Sequence, residues 1–360
     1  MNYLADIGLE VHAELNTRTK MFCSCAIVDP TMSQPNIAVC PVCEGLPGVL
    51  PVVNRQAVEF AIRVALALEC TISPKSIFAR KNYFYPDLPK GYQISQYESP
   101  LAEQGQLTIA TEGGEKTVRI RRVHLEEDTG KLTHVATKGK SYSLIDLNRA
   151  GVPLLEIVSE PYLHSVEEAS AYARELRTLL RTLGVNSGDM EKGAIRFEAN
   201  VSLHPEGKDE MGTRVEIKKL NSFRAMERAI DFQMDQQRRI LDSGRKVEQE
   251  TLGWDETNAV TVSQRSKEEA HDYRYFPEPD LPPLVVDGAW IKKVKSDLPE
   301  LPRTRALRME KELGIKRVDA LLIVDEQSTA NFFERAVASA PRVPAQLVAN
   351  WILSELFAWM

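Results

Sequence analysis

At 360 residues, 43% of them hydrophobic, the chain exceeds one ordinary domain, so two or three units with sizeable cores are expected. Lys and Arg number 45 against 51 Asp and Glu, a net charge of −6, which excludes a global attraction to nucleic acid or anionic membrane. Any polyanion must therefore be held by local patches. Five cysteines argue against a disulfide scaffold, and no leader-like start or apolar run of about 18 residues is evident, so a cytoplasmic, non-membrane protein is the expectation.

The first element, IGLEVHAEL at 7–15, alternates Leu9, Val11, Ala13 and Leu15 with Glu10, His12 and Glu14. A strand sends alternate side chains to opposite faces, so one set suits a core and the other suits water or a metal. Next come Cys23, Cys25, Cys40 and Cys43, a C-x-C and a C-x-x-C separated by 14 residues. Four thiolates at this spacing can close a tetrahedron around a structural zinc. A redox C-x-x-C usually opens a helix, which CPVCEGLPGVLP does not, and plain buried thiols are the other alternative. Cys70 reads as a small core residue.

NRQAVEFAIRVALAL predicts a packed helix, and RKNYFYPDLPKGYQISQYESP a loop rich in Lys81, tyrosines and amides. Such a loop could contact a nucleotide or could simply be anchored by its aromatics. Alternation at 118–123, 142–147, 195–204 and 213–217 predicts further strands, and the whole reads as α+β with an antiparallel sheet. Ser165 with Glu168 predicts a capping box opening one helix that stops at Gly184, and Asn221 and Ser222 open a second that ends at Gly244. Proline-dense YFPEPDLPPL must be extended. From about Asp297 short helical patterns predict a second unit, ending on the apolar PAQLVANWILSELFAWM, which leads us to expect a further domain beyond the chain.

Acidic residues recur on the strand-like segments: Glu126, Glu127, Asp128, then Asp146, Glu156, Glu160, then Glu198 and Glu216. Arg196, Glu198, Asn200, Ser202 and His204 share one face, repeating the pattern of the first strand. Such faces can gather oxygen ligands for Mg²⁺ and phosphate, or can be solvated surfaces. No P-loop, dinucleotide fingerprint, nucleophile elbow or H-E-x-x-H is present, so phosphate chemistry here would need a sheet platform.

IGLEVHAEL, GVLPVVN, RKNYFYPDLPKGYQISQ, HLEEDTGK, DLNRAGVPLLEIVSEP, KKLNSF and DYRYFPEPDLPPL, in this order, closely resemble the B subunit of the aspartyl/glutamyl-tRNA amidotransferase family. The resemblance implies an antiparallel-sheet cradle of glutamine-synthetase type over 1–294, with a zinc knuckle at 23–43, and an incomplete helical domain over 295–360. It implies ATP-dependent phosphorylation of the side-chain carboxylate of Glu-tRNA(Gln) or Asp-tRNA(Asn), then amidation by ammonia from the amidase (A) subunit, with the small C subunit bracing the pair. It implies Mg²⁺, or Mn²⁺, held by Glu10, His12, Glu127, Glu156 and Glu198, with Glu14 a bystander. Lys81, Arg149, Lys218 and Arg274 are the candidates for phosphate contacts. The tail domain that grips tRNA in this family is expected to be absent. A non-catalytic tRNA scaffold and a free-standing carboxylate–amine ligase are the alternatives. The first should carry a basic stripe, and the second an ammonia-generating site.

Overall fold

The computed structural model describes every residue except 1, 30, 138, 209, 267–272 and 360, and of residues 264–266 and 359 only the backbone. Asp272, which opens one of the family-like segments, and Met360 thus lie outside the described residues. In chain order the elements are β1 (Tyr3–Glu14), α1 (Arg55–Ala67), β2 (Thr71–Ile72), β3 (Lys75–Ser76), β4 (Ala79–Asn82), β5 (Tyr92–Ser95), β6 (Ala102–Thr111), β7 (Gly114–Glu127), β8 (Lys131–Thr137), β9 (Lys140–Asp146) and β10 (Pro153–Ser159). They continue with α2 (Val166–Thr182), β11 (Ile195–Pro205), β12 (Val215–Leu220), α3 (Phe223–Asp242), β13 (Glu250–Asp255), β14 (Val260–Ser266), β15 (Phe276–Pro277) and β16 (Leu284–Val285). Helices α4 (Gly288–Ser296), α5 (Pro302–Leu313), α6 (Arg317–Val324), α7 (Gln327–Ser339) and α8 (Ala345–Trp351) follow, with a π-helical turn (Ile352–Leu356) leading into α9 (Phe357–Trp359).

Strand β1 lies at the centre of a nine-stranded sheet of order β14-β13-β12-β11-β1-β10-β7-β6-β2. Its Ile7, Leu9, Val11 and Ala13 are fully buried beneath the helices, and the intervening residues face the other way. Helices α1, α2 and α3 cover the apolar face, so the large core lies on that side and the opposite face stays open. The sheet is antiparallel, as the alternation predicts, except that β12 and β13 run parallel. Parallel neighbours need a long crossover, and α3 supplies it.

Both predicted caps form. Ser165 Oγ accepts from Glu168 N at 3.1 Å, while the Glu168 carboxylate reaches back to His164 N at 2.7 Å, one residue before the expected return. Ser222 caps α3 through Ala225 N at 3.0 Å. Tyr172, Leu176 and Leu180 of α2 are fully buried, the two leucines each contributing roughly 1.5–3 kcal/mol by leaving water. The proline-dense stretch is extended, pairing as β15 with β4 and as β16 with β3. Beyond Leu301 a second buried cluster, around Met309, Ile323 and Phe333, joins α5 to α8. Ion pairs of Arg181 with Glu326, and of Arg303 and Arg317 with Glu115, bind it to the sheet body.

Candidate active site

The open face of the sheet forms the floor of a cleft of about 590 Å³. Antiparallel register makes that floor: His12 lies opposite Glu156, which lies opposite His124, and Glu10 lies opposite Glu198. Cross-strand neighbours on one face stand close enough for their side chains to interact. Glu156 Oε2 is 3.3 Å from the Nε2 atoms of both His12 and His124. Two groups of ligand atoms result, His12 with Glu126 and Glu156, and Glu10 with Glu198 and Glu216, each gathered within 4.8 Å. Hard oxygens with one imidazole suit Mg²⁺ or Mn²⁺, so the donor set fits the cations expected from the sequence.

The electrostatics are those of buried carboxylates crowded together. Burial raises the pKa of Glu10, and Glu156, Glu198 and Glu216 push it further. Burial opposes charge on His12, but hydrogen-bonded Glu156, with Glu198 and Glu126, lifts its pKa to about 9. Glu156 is held well below the usual carboxylate range, because His124 and His12 outweigh its burial. A surplus of acceptors around so few cations is an arrangement a divalent ion would relieve.

Cationic side chains rim this floor. Strand β12 carries an extra residue opposite β11, a bulge at which Lys219 takes φ +64°, and this aims Lys218 at Glu198, Nζ to Oε2 2.8 Å. Lys81 lies with its Nζ 4.9 Å from the centre of the Tyr273 ring. Burial disfavours its charge, yet Tyr275, Glu126 and Glu156 hold its pKa above the ordinary lysine range. Arg149 lines the same cleft, donating through Nε to Thr129 O at 3.0 Å and through Nη2 to Gly130 O at 2.7 Å. Beside it Asp128 accepts from Arg196 at 2.8 Å; despite burial, Arg196 and Arg149 draw its pKa down to about 2. Glu14 joins this corner, where burial and Asp128 raise its pKa to about 8.

The structure thus brings together Glu10, His12, Glu156, Glu198, Lys81, Arg149 and Lys218 in one cleft. Two expected residues are elsewhere. Glu127 shares the core-side phase of Leu125, and its carboxylate accepts from Lys90 and from Ile94 N at 3.0 Å; Glu126, one residue earlier, reaches the cleft instead. Arg274 has φ +45° and is exposed; the neighbouring Tyr273 and Tyr275 line the cleft, and Arg274 does not. Sequence reasoning assigns no role to His124, and gives Asp128 and Arg196 only a place on polar faces without a specific task. The β7 alternation, phased on buried Val123 and Leu125, carries the signal for His124, Glu126 and Asp128.

The four cysteine sulfurs also lie within 4.8 Å of one another, with Cys40 and Cys43 Sγ 3.9 Å apart and no disulfide. Tetrahedral ligands about 2.3 Å from zinc stand about 3.8 Å apart, so the donor set fits that metal. The Cys43 pKa is drawn down to about 4 by the thiol of Cys23 donating to it, against burial, with Cys40 N–H and Lys20 helping. Cys70 is buried, its thiol pushed up to about 12 by desolvation, as befits a core residue.

The family described as GatB/GatE catalytic domain matches residues 5–292. The chain is 53% identical over 355 residues to the B subunit of the aspartyl/glutamyl-tRNA(Asn/Gln) amidotransferase of Moorella thermoacetica, covering 99% of this chain and 74% of that protein. It is 51% identical over 356 residues to the protein of the same name from Thermodesulfovibrio yellowstonii, covering 99% and 74% of the two chains. For that from Roseiflexus sp. the identity is 52% over 359 residues, covering 99% and 73%. On a match spanning four-fifths of its length and relatives this similar over nearly all of it, the chain belongs to the GatB/GatE catalytic-domain family.

Proposed function

We propose that the chain is the carboxylate-activating subunit of a glutamine-dependent, tRNA-dependent amidotransferase. It phosphorylates the side-chain carboxylate of Glu-tRNA(Gln) or Asp-tRNA(Asn) with ATP, and ammonia then displaces phosphate to give the amide. The names of its relatives support the substrates and the reaction class. The observation that carries the chemistry is the pair of ligand groups on one cleft floor, overlooked by Lys81, Lys218 and Arg149. A carboxylate is a poor acyl donor because its leaving group is poor, and phosphorylation replaces that group. Phosphoryl transfer calls chiefly for positioning and charge neutralisation.

Glu10, Glu198 and Glu216 would hold one divalent cation, and His12, Glu126 and Glu156 another; when bound, such ions neutralise nucleotide phosphates. His12 must give up its proton to ligate, while His124 on the far side of Glu156 fixes that carboxylate. Lys81 and Lys218 would face phosphate oxygens, and Arg149 the negative charge gathering on the transferred group. Tyr83, Tyr273 and Tyr275 wall the Lys81 side and limit water there. We read 1–294 as the catalytic cradle, of glutamine-synthetase type, with its zinc knuckle at 23–43, and 295–360 as the start of a helical domain. Among the described residues four cysteines converge in the knuckle and Cys70 is buried, so ammonia generation is assigned to the amidase (A) subunit, with the small C subunit completing the complex. With tRNA as its substrate, the work belongs in the cytoplasm.

A non-catalytic scaffold would have no use for these clustered carboxylates. In the assembled enzyme, Glu156→Gln and Lys81→Met should each lower tRNA-dependent ADP release by about 100-fold or more. Release at the wild-type rate in both would overturn the reading.

A further inference from the structure

Among its described residues the loop between Cys25 and Cys40 contains no helix or multi-residue strand, yet five hydrogen bonds fasten it to the end of β9 and the two residues after it. Asn36, held at φ +61°, donates through N to Asp146 Oδ1 at 3.1 Å and through Nδ2 to Ile145 O at 3.0 Å, and accepts from Leu147 N at 2.7 Å. Asn148, 2% exposed, accepts from Ala38 N at 2.9 Å and donates to Gln34 O at 2.8 Å. From the other side Lys20, fully buried, places its Nζ 3.2 Å from Leu147 O and 3.6 Å from Cys43 Sγ. Met21 N donates to Gly151 O at 2.7 Å. A Cβ on Gly151, whose φ is +88°, would lie 3.6 Å from Cys43 Cβ and 3.4 Å from Lys20 Cδ, so the turn rests directly on the knuckle.

Arg149 sits on that turn, between Asn148 and Gly151. A turn without sheet pairing depends on such contacts, here shared with Gly151 N donating to Asp128 O at 2.9 Å and Arg149 donating to Thr129 O and Gly130 O, and small displacements of a charge aimed at a transferring group are costly. We propose that the cysteine knuckle is a positioning element of the cleft, fixing through Asn36, Asn148 and Lys20 the turn that carries Arg149. The inference rests on the reading of Arg149 as a phosphate contact. A metal held by the four thiolates would close the loop that carries Gln34, Asn36 and Ala38, and the buried Lys20 ammonium would offset the negative charge of the tetrathiolate.

The test uses the full-length protein in its complete complex, with Asn148→Ala, Arg149→Ala and the double variant. Each single change should lower kcat for tRNA-dependent ATP cleavage by roughly tenfold or more, with KM for ATP within about twofold, and the double should be no slower than Arg149→Ala. Asn148→Asp, which keeps the acceptor for Ala38 N, should recover part of the loss. Independently, stripping zinc from the wild-type complex should speed hydrogen exchange at the amides of Ala150, Gly151 and Val152 by about tenfold or more, while Ile157 in β10 stays protected. Arg149→Ala with wild-type kcat overturns the role of Arg149 and this inference with it. Losses that multiply in the double variant, or unchanged exchange after zinc removal, overturn the inference alone.

Discussion

Glu126 and Glu127 are adjacent in sequence and face opposite sides of β7, so neutralising each should give a different defect. Glu126→Gln should raise the Mg²⁺ concentration for half-maximal ATP cleavage by roughly tenfold or more, with little change in melting temperature. Glu127→Gln should leave the Mg²⁺ dependence alone and cost about 3 kcal/mol in thermal denaturation, because it strands the buried ammonium of Lys90. His12 adds a pH effect. Its pKa in the fold, about 9, lies above the unfolded value near 6.5. The stabilisation is therefore complete below pH about 6.5 and is lost as pH rises through 9. Without added divalent cation, the melting temperature should fall across that window, and Glu156→Gln should flatten the slope. The shared face of Glu10 and His12, and that of Glu198, were legible in the sequence because the polar set of an alternating strand announces its own face, whereas Glu156 and the ligand roles came from the family resemblance. The placement of Glu127 was not, because a run of three acids, Glu126 to Asp128, hides the phase, which only Val123 and Leu125 reveal.

Local devices govern the elements. The caps of α2 and α3 were legible because the hydroxyl and the amide it serves lie three residues apart. The parallel pairing of β12 with β13 was not, since it depends on where α3 packs and not on any short pattern. The bulge at Lys219 was equally hidden: a lysine at φ +64° carries no sequence signature, yet it decides where Lys218 points. Because the Lys219 side chain is exposed, substitution there tests the backbone alone. Lys219→Gly should preserve or slightly raise stability, and Lys219→Val should cost about 1–3 kcal/mol and weaken ATP cleavage by displacing Lys218. Thermal denaturation together with the cleavage rate checks both. Equal behaviour of the two variants would remove the bulge from the account.

On the scale of the molecule, three helices cover one face of the sheet and leave the other to chemistry, so the same alternation that builds the core builds the cleft. The tyrosine wall from 273–275 and the Arg149 turn come from segments far from β1 in sequence, which is why alternation could not foresee them. The family resemblance supplied what physics of the single chain could not, namely that an aminoacyl carboxylate is the group to be activated. Such activation leaves an atomic trace. If the complete enzyme is given Glu-tRNA(Gln) or Asp-tRNA(Asn) labelled with ¹⁸O in both side-chain carboxylate oxygens, amide formation through a phosphorylated carboxylate must deliver one labelled oxygen to inorganic phosphate for every amide made. One ¹⁸O in phosphate per amide is the predicted result. Amide formed with no label in phosphate would contradict the account.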